Sequence, residues 1–105
     1  MTKQQERKPT GNTLYETILD LKDLDECKRF FSDLCTVGEL RAMEQRFEVA
    51  LLLSDGMIYN DILERTGASS ATISRVNRSL NYGADGYTTV LPRVKERRKK
   101  DNGEL

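Results

Sequence analysis

Residues 66–83, TGASSATISRVNRSLNYG, contain two arginines, no carboxylate, and an unusual share of Ser, Thr, Ala and Asn, in a chain where Lys+Arg and Asp+Glu both number 17. On a helix, these residue types suit close approach to another molecule. Short side chains let the backbone come near, hydroxyls and methyls meet base edges or phosphates, and a guanidinium grips guanine or a phosphate. A carboxylate in the same place would repel a polyanion. Catalytic chemistry, by contrast, has little to work with. The chain has no histidine, which removes the commonest general base and every Ser-His-Asp or Cys-His arrangement. Cys27 and Cys35 are its only cysteines, too few for a four-ligand zinc site, and are read as buried small apolar residues. No enzyme, metal or cofactor is expected.

The elements that must position this stretch can be read from its spacing. Ile62 and Leu63 fall on a short helix, Gly67 ends it, Ala68 follows, and Ile73 and Val76 place branched apolar groups three residues apart on a second helix. That arrangement is a helix-turn-helix over about residues 58–81: a turn residue tolerant of positive φ, then a helix anchored on one face and turned outward on the other. The outward set is Ser69, Ser70, Ala71, Thr72, Ser74, Arg75 and Arg78. Ser69, Ser70, Ala71, Ser74 and Arg75 are assigned to base edges, and Asn60, Thr72, Asn77 and Arg78 to the DNA backbone. The helix amino terminus near Ser69 or Ser70 adds partial positive charge. Tyr59, Tyr82 and Tyr87 are read as partly buried anchors rather than base readers.

The rest of the chain predicts further helices. Residues 1–11 are polar, lack a signal-peptide core, and are expected to form a mobile tail. Thr13 and Glu16 match a capping box for a helix to about Lys22; Asp23 and Glu26 repeat the pattern for a helix ending near Cys35. A third cap, Thr36 with Glu39, opens ELRAMEQRFEVALLLSDG, where Leu40, Met43, Phe47 and Leu51 mark one face and Arg41, Glu44, Gln45 and Glu48 the other. Residues 49–53 are apolar all round, which places them at the centre of the fold or in a subunit interface. Gly56 supplies a left-handed stop. After the turn GADGY, the run TTVLPRVKERRKK predicts a last helix with Pro92 in its first turn. The class is all-α, about six helices around a central helix-turn-helix, with one domain at 12–97 and a basic, polar tail at 98–105.

Formal net charge is zero, yet basic minus acidic residues come to −4 over 11–53 and +3 over 88–105, so a neutral chain can carry a local positive face. Arg93, Lys95, Arg97, Arg98, Lys99 and Lys100 could track phosphates or simply complement the dipole of their own helix. The longest apolar run, residues 49–53, is too short to cross a bilayer, and the cytoplasm is the expected location.

The same stretch, extended back through CTVGELRAMEQRFEVALLLSDGMIYNDILE and on through ADGY, resembles the trp-repressor superfamily, particularly its YerC/YecD-type branch. The resemblance covers about residues 14–94. It implies an intertwined all-helical homodimer, a transcriptional repressor whose two helix-turn-helix units meet successive major grooves of double-stranded DNA. Residues 49–53 and the faces of the first two helices offer apolar surface for such a dimer. In the tryptophan-responsive member, the arginine matching Arg75 stacks on the ligand and is followed by glycine, where this chain has Val76. Arg46, Arg75 and Ser79 are the positions that match ligand contacts, Arg46 only after a one-residue shift. Tryptophan is therefore not the expected ligand, and any small-molecule effector is left unassigned. The competing class is a helical adaptor module that docks a protein through the same helix pair.

Overall fold

Between Asn12 and Asp101 the chain alternates helices with connections of two to four residues. The structure, a computed structural model, describes residues 11–103. The elements are α1 (Thr13–Leu19), α2 (Leu24–Leu34), α3 (Val37–Ser54), α4 (Tyr59–Thr66), α5 (Ser70–Tyr82) and α6 (Gly86–Asp101), and no strand occurs among the described residues. The expected tail, except Gly11, lies outside the described residues. Contacts group the chain into two units, residues 1–37 and 38–105.

In the first unit, α1 starts one residue earlier than its capping box suggests. Asn12 occupies the cap position, its carbonyl accepting from the Glu16 amide at 2.8 Å. The helix also stops at Leu19 rather than Lys22. Asp23 must already be extended, at φ −155°, to cap α2, so the chain has to leave helical geometry within a few residues. The Leu21 amide bonds to Ile18 at 3.2 Å as the turn tightens. At α2 the cap works as expected on one side, the Asp23 carboxylate accepting from the Glu26 amide at 2.8 Å. The return bond shifts by a residue: Glu26 accepts from the Lys22 amide at 2.9 Å. Phe30 and Phe31 meet edge to face with centroids 5.4 Å apart. Neither helix buries a residue, and Cys27 and Cys35 are half-buried, not buried as expected. Two helices of 7 and 11 residues offer too few faces to enclose a side chain.

The second unit holds the core. Val49, Ala50, Leu51 and Leu52 of α3 are buried together with Ile62, Ala68, Ile73, Val76, Leu91 and Val94. The all-round apolar stretch of α3 is thus covered largely within a single chain and does not require a partner. The helix ends in a Schellman motif, the Met57 amide reaching Leu52 and the Gly56 amide reaching Leu53, both at 3.0 Å, with Gly56 at φ 88°.

The last helix departs from expectation at its start. It begins at Gly86, behind Asp85 at φ 67°, so Pro92 sits in the second turn instead of the first. Proline there forfeits the bond to the Thr88 carbonyl. The helix persists because Leu91 and Val94 are buried on either side of it, while Thr88 and Pro92 lie on the exposed side, where a freed carbonyl is open to water. The carboxyl end of α6 runs to Asp101. Lys95 is not a free cation: its Nζ donates to the Ser54 carbonyl at 3.0 Å and pairs with Asp55 at 3.3 Å. A positive charge on the last carbonyls of α3 also complements that helix's dipole.

Two substitutions separate packing from backbone conformation. Ile73→Ala, at a fully buried position, is expected to lower unfolding stability by about 2 to 5 kcal/mol. Gly67→Ala meets no neighbour but must hold φ 73°, and is expected to cost only about 1 kcal/mol, the difference being read by urea titration.

Candidate nucleic-acid interface

The turn between α4 and α5 is built from one glycine backbone and two side chains. Gly67 closes α4 in the left-handed region at φ 73°, its amide bonding to Leu63 at 2.9 Å. The Thr66 hydroxyl donates to the Ile62 carbonyl at 2.7 Å and accepts from the Ala68 amide at 3.1 Å, fixing both sides of the bend. Gln45, assigned from sequence to the outward polar face of α3, instead donates to the Thr66 carbonyl at 3.2 Å and is half-buried. Its spacing along α3 is compatible with solvent; only the nearness of α4 makes it a tie. Gln45 and Thr66 are the functional supports that sequence reasoning missed.

Beyond the turn, Ser69 is the N-cap of α5. Its Oγ accepts from the Thr72 amide at 3.1 Å and donates to the Thr72 hydroxyl at 3.1 Å. Both hydroxyls are therefore engaged in holding the helix start, which leaves the remaining first-turn amides of α5 directed at solvent. Ile73 and Val76 then lock the helix rotation by burying completely or nearly so, with 0% and 2% exposure.

That rotation carries Ser70, Ala71, Ser74, Arg75 and Arg78 to solvent. Ala71, Ser74, Arg75 and Arg78 line one shallow open depression, which brings two arginines together with a methyl and a hydroxyl residue. No acid occurs anywhere on α5. Thr72 and Asn77 are half-buried at the sides, and Asn77 accepts through Oδ1 from Asn81 at 3.2 Å. Asn60 is exposed near the start of α4, on the other helix of the pair. Tyr82 is 86% exposed, not the part-buried anchor expected, because it is the last residue of α5 and lies beyond the core; Tyr87, packed against the core, does act as one.

The three positions suggested for a ligand do not converge. Arg75 lies in the depression just described, Ser79 lines a separate apolar one with Phe47, Gly83, Tyr87 and Val90, and Arg46 lines neither. Val76, where the tryptophan-responsive member has glycine, is a core residue and does not line the depression that holds Arg75.

Comparison with known proteins agrees with this architecture. The family described as Trp repressor protein matches residues 11–95. The uncharacterized protein YerC of Bacillus subtilis (strain 168) is 58% identical over 83 residues, which covers 79% of this chain and 80% of YerC. A TrpR-like protein of Eubacterium eligens ATCC 27750 superposes with a TM-score of 0.79 at 52% identity, covering 88% of this chain and 95% of that one. A Trp repressor-related chain from Staphylococcus aureus gives the same TM-score at 43% identity, covering 90% and 95%.

Isothermal titration with L-tryptophan is expected to give no saturable heat at sub-millimolar concentration, and a clear one-to-one isotherm would contradict the separation of Arg46, Arg75 and Ser79 as a sign that no such site forms. With its helix-turn-helix, its six-helix order and the match across residues 11–95, the chain belongs to the Trp repressor family.

Proposed function

We propose that the protein is a sequence-specific DNA-binding transcriptional regulator, a repressor that acts as an intertwined homodimer on a palindromic operator. The observation that carries this reading is the exposed, acid-free face of α5, where Arg75 and Arg78 share a depression with Ala71 and Ser74, held outward by the buried Ile73 and Val76. A major groove admits one helix, and its base edges present acceptors that a guanidinium can bridge. Ser70, Ala71, Ser74 and Arg75 face base edges in this reading. Ser69, with its hydroxyl committed to the cap, contributes by presenting the α5 amides, and Asn60, Thr72, Asn77 and Arg78 contact phosphates.

The first unit supplies the argument for a second copy. Leu19 is 84% exposed, Leu24 70% and Leu34 50%, and neither α1 nor α2 buries a residue within one chain. Several large apolar side chains left exposed on two short helices favour an association face. A homodimer would also place two recognition helices in the two-fold relation that a palindromic site requires. Family membership supports regulation over catalysis. Among the described residues no group of His, Cys, Asp and Glu side chains is arranged to hold a metal, and no helix is long and apolar enough to cross a membrane.

Gel shifts on fragments selected from the genome, run in rising salt, test the DNA reading: a complex that weakens steeply with salt is expected, and no retained complex at any salt would favour the adaptor alternative. On the selected site, Arg75→Ala is expected to weaken binding by about 1 to 3 kcal/mol. Sedimentation equilibrium is expected to report twice the chain mass, and Leu24→Asp to shift it toward the single chain.

A further inference from the structure

The basic residues of α6 do not form one undifferentiated face. At about 100° per residue, Arg93, Arg97 and Lys100 fall on one side of the helix, together with Pro92 and Glu96. Arg98 continues the buried stripe of Leu91 and Val94, and Lys99 lies one turn beyond Lys95. Lys95 is bound to Ser54 and Asp55, at the carboxyl end of α3, and Asp55 precedes the first residue of α4, Tyr59, by only four positions. Arg98, Lys99 and Asn102 share a shallow depression with Asp55 and Lys95. The anchor thus sets two further cations beside the turn that leads into the helix-turn-helix.

We propose that Arg98 and Lys99 contact DNA phosphates, making the carboxyl end of α6 a backbone clamp beside the helix-turn-helix. The inference rests on the DNA reading above and adds to it a contact surface outside both of its helices. Lys95 neutralises Asp55, the acid in that depression, so the surplus there is positive. Arg98 and Lys99 are exposed, and neither forms an ion pair among the described residues. Cations carried next to the proposed groove-binding pair complement a polyanion that continues past the groove, and such contacts are independent of base sequence. Asn102, on the same side, can add an amide donor.

Salt dependence tests this on the full chain with a fluorescein-labelled mixed-sequence duplex of a few helical turns, followed by anisotropy. Removing one cation from a phosphate lowers the slope of log K against log salt by about 0.9. Arg98→Gln with Lys99→Gln is expected to lower it by roughly twice that per subunit. Arg93→Gln with Arg97→Gln, on the opposite side of α6, is expected to leave it unchanged, and Arg98→Lys with Lys99→Arg to retain the wild-type slope. A wild-type slope in the first double variant, with wild-type binding intact, overturns the clamp while leaving the DNA reading standing. An equal fall in the first two double variants also overturns it, by showing only the effect of net charge. Absence of binding by the wild type removes the DNA reading and the clamp together. If Arg98 and Lys99 serve only the dipole of α6, the first double variant loses thermal stability without changing slope, which again overturns the clamp.

Discussion

Burial of Ile73 and Val76 sets the rotation of α5 about its own axis, and that rotation decides which side chains the second unit presents. Each fully buried branched residue contributes about 1.5 to 3 kcal/mol of transfer free energy. Turning α5 far enough to bring its apolar face outward would forfeit both contributions. Because the helix repeats every 3.6 residues, fixing positions 73 and 76 inside places 71, 74, 75 and 78 together outside. The same core term holds α4 through Ile62 and α6 through Leu91 and Val94, so a single cluster orients every element near the interface.

Polar contacts refine what the core sets in place. Gly67 admits the bend, Thr66 bonds to both sides of it, and Gln45 holds the bend to α3. Ser69 then commits its hydroxyl to the start of α5 instead of leaving it free for a ligand. These bonds are individually modest, about 1 kcal/mol each, but they act on direction. A small tilt of α5 would move Arg75 and Arg78 by more than the tolerance of a hydrogen bond.

Much of the candidate interface's geometry was legible in residue types. The exclusion of acids from residues 66–83, the glycine turn and the apolar spacing of Ile73 and Val76 are all local, and the structure places each as its chemistry suggests. Helix ends were less legible where two signals competed. The cap at Asp23 pulled the end of α1 back to Leu19, and burial of Leu91 and Val94 carried α6 across Pro92. The half-buried cysteines reflect a different limit, since burial depends on how many faces surround a residue and not on its own hydrophobicity.

The sequence by itself determined the all-helical class, the helix-turn-helix and the character of its outward face, because periodicity, caps and left-handed glycines express dihedral preferences over a few neighbours. Only the tertiary structure decided that residues 49–52 are covered within their own chain, that Gln45 ties the turn, and that Lys95 is an anchor and not a free cation. Gln45 and Thr66 are 21 residues apart, and Lys95 and Ser54 are 41 apart. A polar side chain that fits water and a distant carbonyl equally well leaves no local mark of its partner; the choice is made when packing brings the carbonyl within reach.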